Sequence, residues 1–302
     1  MGNYMDLLRD CTLCPRECHV NRIEGEIGYC RETSDLRLAR ASLHMWEEPC
    51  ISGEEGSGTV FFTGCALRCV YCQNNIIANG SFGKRVVNER LLEIFFELKD
   101  KGAQNINLVT PTHFIPQIMM ALEIAKEKGL DMPIVYNTSG YEKKDSIKYL
   151  NGFIDIYLPD FKYYDENLSK KYSNAYNYKD YAMESIGEMV RQVGKPEFNE
   201  KGMMTKGVIV RHLVLPGFVE DSKKIIEYLH KTFGDDIYIS IMSQYTPLSH
   251  VNAFPEINRK LREDEYNSVV DFAISIGVEN GFIQEGESAQ ESFIPPFNFE
   301  GV

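Results

Sequence analysis

From Gly58 onward, short runs of β-branched and aromatic residues alternate with longer stretches in which apolar side chains return every three or four positions. Apolar runs of this length suit strands buried on both faces, and the periodic stretches suit helices that cover them. The pattern predicts six βα units. Their strands are Thr59–Thr63, Ile106–Thr110, Ile134–Asn137, Ile154–Leu158, Val208–Leu215 and Ile237–Met242. Among the helices, Asn88–Lys101 sets Leu91, Leu92, Phe95 and Leu98 at helical spacing with Asn88 as its cap, and Ile115–Lys128 ends at Gly129, as a C′ glycine would. Asp221–Phe233 and Asp264–Ile276 repeat the pattern. Six units are too few for a closed eight-stranded barrel, so the expected fold is α/β, an open partial (β/α)6 barrel working at its strand C-termini.

Residues 1–57 read differently, with four cysteines clustered before residue 31, little periodicity, and one run, Leu36–Leu43, that suits a strand. A segment so poor in apolar material needs a metal to fold. The expected division is a Cys-rich metal-binding extension over 1–57, the barrel core over 58–285, and a C-terminal strap over 286–302 that carries Pro295-Pro296.

Composition excludes several classes. No run of about eighteen apolar residues occurs, and Met1–Asp6 has neither the basic patch nor the apolar stretch of a signal peptide, so the chain is expected in the cytoplasm with no membrane partner. A formal charge of −12 without clustered Lys and Arg repels phosphate backbones and argues against nucleic acid.

All eight cysteines, at 11, 14, 18, 30, 50, 65, 69 and 72, lie in the first quarter of the chain. Disulfide frameworks belong to small secreted domains, so metal or cluster ligation is the better reading. Cys65, Cys69 and Cys72 follow the first expected strand and fall in its βα loop. Three thiolates can hold three irons of a four-iron cluster and leave the fourth iron open to a small molecule. A zinc knuckle would want a fourth ligand, and none stands at suitable spacing downstream. Cys11, Cys14, Cys18 and Cys30 make a complete four-thiolate shell for zinc or for a second cluster, with no open position and therefore a structural or electron-relaying role. Cys50, near His44, reads as a buried small hydrophobe. Gln244, Tyr245 and His250, and Gln284, Glu285 and Glu287, fall where a substrate could be met.

The C-x-x-x-C-x-x-C spacing after a first strand resembles the radical S-adenosylmethionine (SAM) superfamily. Within it, Cys11-Thr-Leu-Cys14-Pro-Arg-Glu-Cys18, Leu43-His-Met-Trp-Glu-Glu-Pro-Cys-Ile-Ser-Gly53 and Asn107-Leu-Val-Thr-Pro-Thr-His113 resemble the branch of the pyruvate formate-lyase activating enzyme. The resemblance implies a [4Fe-4S] cluster on Cys65, Cys69 and Cys72, and SAM split to methionine and a 5′-deoxyadenosyl radical that abstracts hydrogen. It implies a flavodoxin or ferredoxin as reductant, and as substrate a glycyl radical enzyme, another protein or a small molecule. It sets Tyr71 against the adenine. Asp160 and Lys162 resemble a D-x-K motif, and Arg211 a carboxylate-binding arginine; the plainer reading of all three is structural ion pairing. The family's Gly-Gly-Glu element is replaced by Thr110-Pro111-Thr112-His113, where Thr110 and Thr112 offer acceptors and His113 a polar ligand. Asn137, Ser139 and Gly140 are placed for the ribose hydroxyls. The rival from another class is a non-enzymatic zinc-binding interaction module.

Overall fold

The computed structural model describes residues 4–80, 82–284 and 295–302. Ten strands form one sheet: β1 (Arg37–His44), β2 (Ser57–Phe62), β3 (Lys84–Arg85), β4 (Ile106–Val109), β5 (Ile134–Thr138), β6 (Ile156–Pro159), β7 (Glu197–Phe198), β8 (Met204–Leu213), β9 (Tyr238–Met242) and β10 (Gly281–Ile283). The order is β10-β9-β8-β6-β5-β4-β2-β1-β3, with β7 paired to β8. From β2 to β10 that path is parallel throughout; β1 runs antiparallel to β2 and to β3. The two ends of the path do not meet, so the architecture is the open α/β barrel expected.

All six expected strands are present. A seventh parallel strand, β10, was not foreseen. Nine helices accompany the strands among the described residues: α1 (Pro49–Ser52), α2 (Asn75–Ala78), α3 (Asn88–Asp100), α4 (Ile115–Glu127), α5 (Lys144–Tyr149), α6 (Glu166–Ser173), α7 (Tyr178–Val193), α8 (Val219–Phe233) and α9 (Glu263–Ser275). In α8 the buried positions are Ser222, Ile225, Ile226 and Leu229, one stripe that meets the outer face of the sheet. Asn88 does not cap α3: it is the first helical residue, Val87 occupies the cap, and the Asn88 amide donates to the Gln117 carbonyl at 3.1 Å.

The inner face of the barrel holds a second, smaller apolar cluster. Cys50 and Ile51 of α1 pack there against Val135, Ile156, Leu158, Met204 and Ile209 from β5, β6 and β8. Asn105, just before β4, fastens the plug by donating to the Ile51 carbonyl at 2.8 Å. The chain between β1 and β2 therefore stops the end of the barrel at which β4 begins. Cys50 is the buried hydrophobe expected, and burial pushes its thiol up to about 12.

The N-terminal segment wraps outside the barrel. A small cluster of Leu8, Cys11 and Leu13 anchors it, and β1, within residues 1–57, is hydrogen-bonded into the main sheet. At the other terminus Ala41 donates to the Glu300 carbonyl at 2.8 Å and Phe299 to the Ala39 carbonyl at 3.1 Å, so residues 295–302 run as a strap along β1.

Candidate functional site

The strand ends open onto one cavity of about 590 Å³, within the range that holds a small molecule. The loop after β2 supplies one wall. Its first turn requires glycine at Gly64, where φ is +79° and a Cβ would meet the Cys30 carbonyl at 2.5 Å. The loop then carries Cys65, Cys69 and Cys72, all on the cavity wall; the Cys72 amide donates to the Cys69 carbonyl at 3.1 Å and the Val70 amide to the Tyr172 carbonyl at 2.8 Å. Burial raises the Cys65 and Cys72 thiols. Tyr71, buried, also lines the cavity, with its ring 6.4 Å from Tyr163 and 5.9 Å from Tyr245.

Another part of the wall is a buried layer of charge. Arg211, near the end of β8, donates from Nε to Asp160 at 3.0 Å, from Nη1 to Glu47 at 3.2 Å and from Nη2 to Asn137 at 2.6 Å. Lys162 pairs with the second oxygen of Asp160 at 2.7 Å. Burial pushes Asp160 up, but Lys162 and Arg211 together outweigh it and hold the carboxyl below its ordinary range. Glycine is required again at Gly140, with φ at +74°, because a Cβ would fall 2.0 Å from the Asp160 carbonyl; the ends of β5 and β6 are thereby pressed together. Thr110 also lies on the wall, and its φ of +59° is costly for a β-branched residue.

Of the residues singled out in the sequence, Cys65, Cys69, Tyr71, Cys72, Thr110, Asn137, Ser139, Asp160, Lys162, Arg211, Gln244 and Gln284 share this cavity. Thr112 and His113 do not, and the expectation that they face a ligand is corrected. At Pro111 the chain turns into a 3-10 turn that buries both. Thr112 donates to Glu142 at 2.5 Å; His113 Nε2 lies 2.6 Å from the Thr63 carbonyl, and burial with Arg22 nearby pulls its pKa to about 3. Tyr245 is buried and donates to the Ile257 carbonyl at 2.8 Å, and it and His250 are absent from the wall. Glu285 and Glu287 lie outside the described residues.

Sequence reasoning missed Glu47 and Glu48, which follow β1 and face the cavity from the plug. Asn107 and Asn137 donate to Glu47 Oε1 at 3.1 and 3.3 Å. The only hint lay in their membership of the Leu43–Gly53 segment.

Cys11, Cys14, Cys18 and Cys30 are gathered behind the Cys65 loop, close enough that the other three thiols raise Cys14 further, after burial itself. Burial also raises Cys30, to about 11. Among the described residues, no group of three or more His, Cys, Asp or Glu is arranged as a site for one metal ion. Arg16 ties the segment to the loop. It donates from Nε to the Ala66 carbonyl at 2.8 Å and from Nη2 to the Ser173 carbonyl at 3.0 Å, while its guanidinium sits 3.8 Å from the Tyr29 ring.

The chain is similar to several known proteins. An uncharacterized protein of Methanocaldococcus jannaschii is 28% identical over 278 residues, 89% of this chain and 75% of its own. The pyruvate formate-lyase-activating enzyme of Clostridium pasteurianum is 31% identical over 117 residues, 36% of this chain and 46% of that one. The structure of Streptococcus suis SuiB bound to precursor peptide SuiA shares the fold with a TM-score of 0.50 at 14% identity, over 74% of this chain and 47% of that one. Residues 59–229 match the Radical SAM superfamily, more than half of the chain, and the chain belongs to that family.

Proposed function

We propose that the protein cleaves SAM reductively, with a [4Fe-4S] cluster on Cys65, Cys69 and Cys72, and takes hydrogen from a substrate held in the same cavity. The observation that carries this is the shared wall: three soft sulfur ligands from one loop line the same cavity as Asp160, Lys162 and Arg211, with Lys162 close enough to feel Cys69. The donor set fits the group, since no fourth thiol lines the cavity among the described residues and one iron keeps an open position. When bound, the cluster and SAM supply one-electron cleavage of a sulfonium carbon–sulfur bond and a 5′-deoxyadenosyl radical.

This chain's own residues bind and orient. Lys162 and Arg211 offer cations to the cofactor's carboxylate, Tyr71 an aromatic face to its adenine, and Thr110, Asn137 and Ser139 polar groups to its remaining heteroatoms. Cys11, Cys14, Cys18 and Cys30 hold a second metal centre, zinc or iron–sulfur, that stabilises the N-terminal segment or relays electrons. A flavodoxin or ferredoxin supplies the electron. The stretch similar to a pyruvate formate-lyase-activating enzyme supports a glycyl radical enzyme as partner; another protein or a small molecule is the alternative. Eight free cysteines fit a reducing compartment such as the cytoplasm.

After anaerobic reconstitution with iron and sulfide, the protein should produce 5′-deoxyadenosine from SAM and dithionite, and Cys69→Ala should produce none while keeping its circular dichroism spectrum. Undiminished 5′-deoxyadenosine formation in that variant would falsify the assignment.

A further inference from the structure

We propose that Glu48 receives a positively charged nitrogen, an ammonium or guanidinium group, carried by the substrate. The proposal rests on reading the cavity as the reaction site, and adds what kind of molecule enters it.

Glu48 lines the cavity, is 8% exposed, and its Oε2 has no hydrogen-bond partner. Glu47 beside it is satisfied by Arg211, Asn107 and Asn137. A buried carboxyl oxygen with nothing to bind costs about 1–3 kcal/mol, a cost that an incoming donor removes.

Charge decides which donor. Among the described residues, the carboxyls on the cavity wall are Glu47, Glu48 and Asp160, and the cations are Lys162 and Arg211. His44, also on the wall, adds no charge, because burial holds its pKa at about 4. Lys162 is engaged by Asp160, and Arg211 gives its hydrogen bonds to Asp160, Glu47 and Asn137. Glu48 is thus a third carboxyl on a wall with two cations, both of which the proposed cofactor carboxylate would also share. In a low-dielectric wall such a group takes up a proton or a cation. Burial pushes Glu48 up, with Arg211 and the Ser240 hydroxyl pulling the other way, and a cation arriving at the unpartnered Oε2 offsets that burial. The surrounding wall, with Met45, Leu213, Met242 and Phe282, suits the alkyl stem of a lysine-like or arginine-like chain.

The test uses the reconstituted full-length protein saturated with SAM, and two probes: Nα-acetyl-lysine methylamide and its neutral counterpart Nα-acetyl-norleucine methylamide. Isothermal titration should show the lysine amide bound about tenfold more tightly, as one charge-assisted hydrogen bond provides. Glu48→Gln should abolish that preference and leave SAM affinity unchanged, and Glu48→Ala should do the same. Equal affinities for wild type, including no binding of either amide, overturn the proposal, as does a preference that survives in both variants. A loss of SAM affinity in Glu48→Gln also overturns it, by assigning the carboxyl to the cofactor. Because the readout is binding, a protein that selects the lysine amide yet cleaves no SAM would refute the proposed function and leave this inference standing.

Discussion

Arg211 is the residue on which the charged wall depends, and its two roles can be separated. Removing it leaves Asp160 and Glu47 buried with Lys162 as their one remaining cation on the wall. Breaking a buried pair in this way costs about 3–5 kcal/mol, so Arg211→Ala should lower the thermal midpoint by roughly 10 °C before any cofactor is added. Arg211→Lys, which keeps the charge and loses the fork, should fall by less. An unchanged midpoint in the alanine variant would show that the wall is not held by this network. The sequence made Arg211, Asp160 and Lys162 legible through their likeness to family motifs, and because charged residues within or just after apolar strands are conspicuous. Glu47 and Glu48 were not legible, since a charged doublet between two strands reads as surface. Thr112 and His113 misled for the opposite reason: they follow a strand end, but Pro111 turns them away from the mouth, Thr112 toward Glu142 and His113 toward Arg22 of the N-terminal segment.

At the scale of elements, the strands were legible as short runs rich in β-branched and aromatic residues between helical stretches, and β10 was not, because three residues that begin with a glycine carry no such signal. α5, α6 and α7 are polar on one face and rich in tyrosine, so their boundaries were hidden in a long connection. What joins these elements is not visible in any local pattern. Glu142, after β5, accepts from Thr138 of that strand, from Thr112 in the turn beyond β4, and from Tyr136 at 3.5 Å. Burial raises its pKa to about 7 despite those hydrogen bonds. A carboxyl whose folded pKa lies above its unfolded value binds more protons in the folded state, so its stabilising contribution is complete below about pH 4 and is lost as pH rises toward and through 7. Wild type should therefore lose about 3 kcal/mol from this group across that window, and Glu142→Gln should flatten the decline when unfolding is followed by urea titration at several pH values. A parallel decline in both would remove Glu142 as its source. The N-terminal segment makes a separate forecast. If its four thiols hold a metal, Cys14→Ser with Cys18→Ser should reduce metal content by elemental analysis while the absorbance of the barrel cluster persists. Equal metal in wild type and variant would leave the segment held by its packing and polar contacts alone, among them Arg16, Arg22 and the pairing of β1.

For the molecule as a whole, the open barrel leaves an edge that residues 297–302 cover. Residues 297–302 give β1 two backbone hydrogen bonds and an Arg40–Glu300 pair at 2.6 Å, and add the ring contacts Phe297–Phe61 of β2 at 5.5 Å and Phe299–Phe82, ahead of β3, at 4.6 Å. Ending the chain after Pro296 should cost about 3 kcal/mol and increase aggregation by freeing the edge of β1; light scattering on heating reads both. The plug at the opposite end of the strands has a consequence of another kind. With α1 seated across the barrel's base, nothing can be threaded through it. A polypeptide visiting the cysteine loop must come in as a side chain, a terminus or a tight bend and leave by the way it entered. A continuous extended strand passing through the barrel is refused on topology alone, whatever its sequence.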